Sequence, residues 1–426
     1  MVEELNPHLQ PVTTFSNILD EPHWFLEKRL AALKTISHLP FPSFQKVRYQ
    51  KWPLLTIALE ETREISGNVP DFSKKDNPVL VQEDGVTTFL QLPQALADQG
   101  VIFTDLQDAL VQHPELIEKY FMQLAIKPTD DKLTAFHMAF VKNGSVLYVP
   151  DNVVISDPIE TIFLQNADNY QTFVPHVLII GGKNSQFTYL ERFTTVGTGQ
   201  KNISANVVVE VIAEAGSQIK YSAVDELGEN VTTYFNRRGY LKRDAMVDWA
   251  IGVMNNGNVV ADFDTDLVGD GAHSEIKVVT ISHGQQVQAI DTRVTNKAPH
   301  TIGHILQHGV IMDASSLIFN GIGHIIKGAK GSDAQQESRV LMLSDEARGD
   351  ANPILLIDEN EVTAGHAASV GQVDPEEMYY LMSRGLPKKV AERLVIRGFL
   401  GPVITAIPVK AVQQEFVAAI EGKLQG

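Results

Sequence analysis

His366 has more chemistry within its reach than any other residue of this chain. It is a single imidazole in the run Asn360-Glu361-Val362-Thr363-Ala364-Gly365-His366-Ala367-Ala368-Ser369-Val370-Gly371. A neutral imidazole can bind a first-row transition metal through one nitrogen, or move a proton near neutral pH. The small neighbours Gly365, Ala367 and Ala368 leave room for ligands supplied by another chain. On its residues alone the run reads first as a turn or capping histidine without chemistry. Six of the thirteen histidines fall between 273 and 324. His300, His304 and His308 are spaced four and four, which aligns them on a helix and also places them on one face of a strand. Pro299, Gly303 and Gly309 argue against a helix, and no carboxylate stands at a matching spacing. Solvated edge histidines are therefore expected here rather than a metal site.

Asp262-Phe263-Asp264-Thr265-Asp266 has the alternation of a calcium loop, but Leu267 replaces the required glycine and His273 the closing glutamate. Alternating aspartates on a strand face one side, expected here to be solvent. No phosphate-binding Gly-x-x-x-x-Gly-Lys-Ser/Thr loop occurs, since Gly181-Gly182-Lys183-Asn184 lacks both frame and hydroxyl. No Gly-x-Ser-x-Gly elbow supports a serine hydrolase, and Gly321-Ile322-Gly323 does not complete a dinucleotide fingerprint.

The 426 residues contain no cysteine, so the chain alone can hold neither a disulfide nor a thiolate-bound cluster. Net charge is −17, which disfavours general binding to nucleic acid or anionic membrane. The acidic start of the chain lacks an apolar signal core, and no run approaches the ~20 apolar residues that span a bilayer. These features lead us to expect a cytoplasmic protein.

The elements that must position His366 follow from periodicity and punctuation. Residues 1–135 read as mainly helical. Trp24, Phe25, Leu30, Leu33 and Ile36 form a helical apolar stripe, and a second helical pattern from Phe103 to Leu124 is split by Pro114. Short strands are expected at Val79 and Val86. Residues 136–370 carry apolar runs of strand length separated by Gly- and Asn-rich turns, a mainly β pattern. Pattern alone leaves sandwich and solenoid open, because no clean sequence repeat is visible. Residues such as Val177, Ile179, Val207 and Val209 should point into the core. Residues 371–426 read as helical. Asp374 is an N-cap, Pro375 fits the first helical position and Gly385 the exit. A helix from Lys388 should stop at Gly398, and Pro402 and Pro408 precede a last helix from Ala411 to Leu424.

The run around His366, with Ser383-Arg384-Gly385 downstream and Ser332-Asp333-Ala334-Gln335-Gln336 upstream, resembles the SufB/SufD family of iron–sulfur cluster assembly proteins. Glu21-Pro22-His23-Trp24 and Leu39-Pro40-Phe41-Pro42 resemble the family's N-terminal motifs. The family cysteine two residues before the histidine is Ala364 here, which favours the SufD-like branch over the SufB-like scaffold. The resemblance implies a right-handed parallel β-helix (β-solenoid) core between helical regions. It further implies a non-catalytic subunit that pairs with a SufB-like paralogue near residues 315–370 and, through its C-terminal helices, with a SufC-like ABC ATPase. On that reading His366 is the cluster-assembly and metal-ligating residue. Asp374, Met378, Tyr379, Arg384 and Leu394 serve the ATPase contact. No cofactor is held stably by this chain alone, and iron or an Fe–S cluster is held transiently with a partner. Exposed interface strands would favour a homodimer in isolation. A polysaccharide lyase or hydrolase built on a β-helix is the alternative; it would require Asp262, Asp264 and Asp266 to converge with a basic residue in a long open cleft.

Overall fold

Strand-forming runs dominate the chain from residue 79 to residue 372. The computed structural model describes residues 9–57, 65, 77–407 and 409–425. The acidic start of the chain and Pro408, both used above, lie outside them. Helices α1 (Leu9–Ile18) and α2 (His23–Thr35) come first, then strands β1 (Val79–Glu83) and β2 (Val86–Gln91). Next are α3 (Gln94–Ala97), β3 (Ile102–Asp105), α4 (Leu106–Gln112), α5 (Pro114–Tyr120) and α6 (Lys132–Phe140). The expected helix from Phe103 thus begins as a strand. Ile102 and Phe103 pair antiparallel with Tyr148 and Leu147, and Phe103 enters the core. Pro114 separates α4 from α5 as anticipated.

Sixteen strands follow and sort alternately into two sheets. One sheet takes β5 (Ile159–Asn166), β7 (Gln186–Val196), β9 (Gln218–Glu226), β11 (Met246–Val253), β13 (His273–Ser282), β15 (Ile302–Ile311), β17 (Asp333–Met342) and β19 (Thr363–Gln372). The other takes β4 (Asn143–Val149), β6 (Pro175–Gly181), β8 (Ile203–Ala213), β10 (Val231–Leu241), β12 (Val259–Leu267), β14 (Val287–Asn296), β16 (Ser316–Ile325) and β18 (Arg348–Ile357). Within each sheet these strands run parallel; β1 and β2 extend the first and β3 the second. The result is a parallel β-solenoid of about eight turns, in which each rung covers its neighbour's apolar face. Val177, Ile179, Val207 and Val209 are all buried in the shared interior, as their alternation required.

The helical ends cover the solenoid's outer faces. Leu178, Ile180, Val208 and Ile212 alternate with the interior residues and bury instead against Phe121, Phe136 and Phe140. Both faces of β6 and β8 are therefore dry, which explains their unbroken apolar sequence. The aspartate ahead of α6 fixes this layer: Asp131 accepts from Leu133 and Thr134, and Thr134 returns a hydrogen bond to the Asp131 backbone. The chain ends in helices α7 (Pro375–Ser383), α8 (Lys388–Thr405) and α9 (Lys410–Gln425), and on the other sheet Val224, Ala250, Val279, Ile281 and Val310 are covered by α8 and α9 through Ile396, Leu400, Val403, Phe416 and Ile420. Helix α8 does not stop at Gly398 but continues through Pro402 to Thr405. The apolar positions Ile396, Leu400 and Val403 fall on its sheet-facing side. Burying each contributes about 1.5–3 kcal/mol, enough to outweigh a poor helix former at an exposed position.

Candidate functional site

His366 lies on β19, the last strand of its sheet, rather than in a connection between strand and helix. Its register is Ile276 to Ile305 to Gln336 to His366 across four successive strands. Ile276 and Ile305 belong to the core and Gln336 is buried. His366 thus occupies the inward-facing row of the solenoid and is exposed because no rung follows it. Ala364, two residues earlier, shares that face through the strand's period of two. It ends the row Ser274, Gly303, Ala334. Strands β18 and β19 have a neighbour on one side only. Leu356, Ile357 and Val370 stand exposed on this rung. Pro353, which cannot donate to a ladder, sits on the β18 edge where a sheet tolerates it.

An open groove of about 530 Å³ runs along the outer face of the first sheet, lined by Glu275, Lys277, His304, Gln335 and, from the end of α8, Ala406, and it reaches β19 at Gly365 to Ala367. His304 pairs in register with Glu275, and His273 lies two residues before Glu275 on the same face. One ligand-type atom from each of His273, Glu275 and His304 lies within 4.8 Å of the others. His273 Nε2 is 3.5 Å from Glu275 Oε1, and Lys277 Nζ donates to Glu275 Oε2 at 2.9 Å. Lys277 is itself neutralised by Asp248 at 2.6 Å. The polar contact with His273, then the hydrogen bond and charge of Lys277, hold the Glu275 carboxyl down at about 2 despite partial burial.

His304 and His308 share one face of β15 and His300 lies outside it, and the solvent exposure expected of these histidines fails at His308. His300 sits at positive φ in the turn before β15. His308 is buried between Glu337, 3.1 Å away, and the Phe399 carbonyl, 3.0 Å away, and helps seat α8. The carboxylate in register beside His304 is Glu275 on the preceding rung, 304 − 275 = 29 residues back in the chain, and the one within hydrogen-bond distance, at 3.3 Å, is Asp333 on the following rung. That pairing becomes legible only once the rung length is known.

The aspartates of β12 also depart from expectation. They line a groove of about 850 Å³ closed over by Pro42, Ser43 and Phe44, not open solvent. Arg238 donates to Asp262 and to Asp264, each at 2.6 Å, and Lys297 donates to Asp266 at 2.7 Å. The convergence of carboxylates with a basic residue is therefore present, but the basic groups occupy the carboxylates as ion pairs. Burial pushes Asp264 well up, and raises Asp291 to about 7 and Asp131 to about 6.

The C-terminal candidates lie apart from the His366 groove. Asp374 caps α7 by accepting from Glu376 N at 2.8 Å. Tyr379 is 75% exposed and Leu394 46%, while Met378 is half-buried beside Met342 and Met382. Arg384 stacks over the Tyr380 ring.

The class this fold defines is a parallel β-solenoid flanked by helices, with open last strands that carry a histidine. Comparison with known proteins narrows this class. The profile of the SUF system FeS cluster assembly SufBD core domain matches residues 163–399, and that of the SufBD protein N-terminal region matches residues 27–161. The iron-sulfur cluster assembly protein SufD of Bacillus subtilis (strain 168) is 43% identical over 424 residues, 97% of each chain. An iron-sulfur cluster assembly SufBD family protein of Staphylococcus epidermidis (strain ATCC 12228 / FDA PCI 1200) is 26% identical over 418 residues, 94% of this chain and 89% of the relative. The chain belongs to the SufB/SufD family of the SUF iron–sulfur cluster assembly system. Among the described residues, no helix is long and apolar enough to cross a membrane.

Proposed function

We propose that this chain is a non-catalytic, SufD-like subunit that joins a SufB-like paralogue end to end through β18 and β19, and a SufC-like ABC ATPase through α7 and α8. One observation carries the reading: the solenoid's last rung has open edges on both sheets and presents His366 in the row that is otherwise core-facing. Unpaired strand edges are templates for pairing with another chain. A paralogue's terminal rung placed there would meet His366 and the bare Ala364 position directly. With no cysteine of its own, this chain leaves the thiolates of a nascent cluster to its partner. His366 then adds a nitrogen ligand or a proton-transfer group at a shared site, and iron and cluster are cargo. ATP hydrolysis in the attached ATPase moves the pair and opens or closes that site. In isolation the same edges favour a homodimer in the cytoplasm.

The test is cluster yield on the reconstituted complex carrying His366→Ala. A large loss on a complex that stays assembled by gel filtration supports the role. Wild-type yield would remove His366 from the chemistry. An anaerobic pull-down from the host should recover an ABC ATPase and a cysteine-bearing paralogue.

A further inference from the structure

We propose that His273, Glu275 and His304 form a binding site for one divalent first-row transition-metal ion on the outer face of the solenoid, separate from His366. The backbone explains why these three residues meet. His273 and Glu275 are i and i+2 on β13, so they share a face, and β15 sets His304 in register beside Glu275. Neighbouring strands lie about 4.8 Å apart, which is the scale on which the three ligand atoms cluster, within 4.8 Å of one another. Two imidazoles and one carboxylate, with coordination positions left to water, suit Zn²⁺, Fe²⁺ or Co²⁺ and not the all-oxygen preference of Ca²⁺ or Mg²⁺.

The surroundings favour a ligand set held ready rather than three chance neighbours. Lys277 holds Glu275 by Oε2 at 2.9 Å, leaving Oε1 on the side of His273. A carboxylate fixed by one oxygen and free at the other is the arrangement of a monodentate ligand oriented from outside the coordination sphere. The charge of Lys277 is offset by Asp248 on the far side, at 2.6 Å. His273 Nε2 is shut off from solvent although the residue is only half-buried, and its polar neighbour Glu275 Oε1, 3.5 Å away, is too far for a good hydrogen bond. A ring nitrogen in that state is satisfied by a metal ion. Asp333 lies 3.3 Å from His304 Nε2 and supplies either the orienting carboxylate or a fourth ligand. The groove opens on one side, so an ion has an entry path. Its outer row ends at Gly365, while His366 ends the adjacent inward row, so a bound ion lies on the opposite face from the site argued above.

The experiment is Co²⁺ titration of the purified full-length chain after chelator treatment, followed by visible absorption, with Fe²⁺ added anaerobically as competitor. The expected result is one equivalent of Co²⁺ with bands of low-symmetry coordination, displaced by Fe²⁺. His273→Asn and His304→Asn should each weaken binding by more than about tenfold, since even groups outside the coordination sphere are worth that much. Glu275→Gln, nearly isosteric, repeats the test should a histidine variant fail to fold, as judged by circular dichroism. His366→Ala should bind Co²⁺ like the wild type, which separates this site from the assembly role. Absence of Co²⁺ binding, or binding unchanged by all three substitutions, overturns the proposal. So does binding abolished by His366→Ala.

Discussion

Arg237 and Asp225 form a two-pronged ion pair inside the solenoid, Nη1 to Oδ2 at 2.9 Å and Nη2 to Oδ1 at 2.7 Å, with both side chains fully buried. The guanidinium also donates to Glu191 and to Tyr221, and lies 4.7 Å from the Phe235 ring centroid. The network links strands β7, β9 and β10 across the interior. Burial raises the Asp225 and Glu191 carboxyls and Arg237 opposes this, with Glu191 left at about 7.

Removing the cation therefore strands two carboxyls in an apolar interior. Arg237→Met should destabilise the fold by about 3–5 kcal/mol, and Arg237→Lys should not restore it, because an ammonium cannot span both carboxylates in the same fork. The loss should be smaller at pH 5 than at pH 8, since protonation relieves the uncompensated charge. Urea midpoints at the two pH values check both claims, and equal losses would contradict the assignment of charge here.

The contact between the N-terminal helices and the solenoid should be pH-sensitive in two directions. His137 Nε2 and His176 Nδ1 lie 3.0 Å apart, and His176 Nε2 is 3.3 Å from Glu210, whose oxygens accept from the Met122 and Ile126 backbones. The histidine–glutamate contact is a neutral one. Burial holds His176 down at about 3, against 6.5 for a free imidazole, and lifts Glu210 to about 8, against 4.5 for a free carboxyl. For His176 the unfolded chain takes up a proton that the folded chain refuses, so stability falls as pH drops from 6.5 toward 3. For Glu210 the folded chain keeps a proton that the unfolded chain has lost, so stability falls as pH rises from 4.5 to 8. Protection of the α6 amides in hydrogen exchange, corrected for the intrinsic pH dependence of exchange, should be greatest near pH 5–6. Glu210→Gln should flatten the alkaline side alone.

Much of this architecture can be read from the sequence, and the exceptions share one cause. Val177 and Ile179 announce an interior face by alternation, and Asp374-Pro375 announces a helix start from two residues. What alternation cannot supply is the rung length. The rungs share a pattern of small and apolar inward residues but no repeated motif, so the Glu275–His304 pairing stays hidden across its 29 residues. The same gap led us to place the β12 aspartates in solvent, because the segment that covers them lies some two hundred residues earlier, at Pro42 to Phe44. Gly398 misled for the complementary reason: a local stop signal was outweighed by tertiary burial of Leu400 and Val403. His366 was found by resemblance, and its row in the solenoid by register.

That last conflict makes its own prediction. Gly398 lies in the interior of α8, is exposed, and a methyl group added to it would meet nothing within 4 Å. Gly398→Ala should stabilise the C-terminal layer by about 0.5–1 kcal/mol, mainly by restricting the unfolded chain. A higher thermal midpoint with unchanged circular dichroism is the expected reading, and a lower one would contradict the open space around this position.

The exposed side of α7 and α8 provides the sharpest test of the ATPase contact. Tyr379, Tyr380 and Met382 on α7 and Val390 and Leu394 on α8 are all exposed, whereas the opposite side of α8 is buried against the solenoid. Helix α8 anchored by one face on the core, with aromatic and aliphatic side chains left exposed on it and on α7, is suited to a helix-reading partner. Tyrosine is among the residues that dominate interface energetics. Tyr379→Ala and Leu394→Ala should each weaken binding of the ATPase subunit by about tenfold or more, over about 1.4 kcal/mol. Neither should shift the thermal midpoint, because neither side chain packs inside this chain. His366→Ala should leave that affinity unchanged, since the last rung and α7 present separate surfaces. Calorimetric titration of the three variants with the ATPase subunit distinguishes the two. If the helix variants bind normally, the apolar surface of α7 and α8 belongs to another partner.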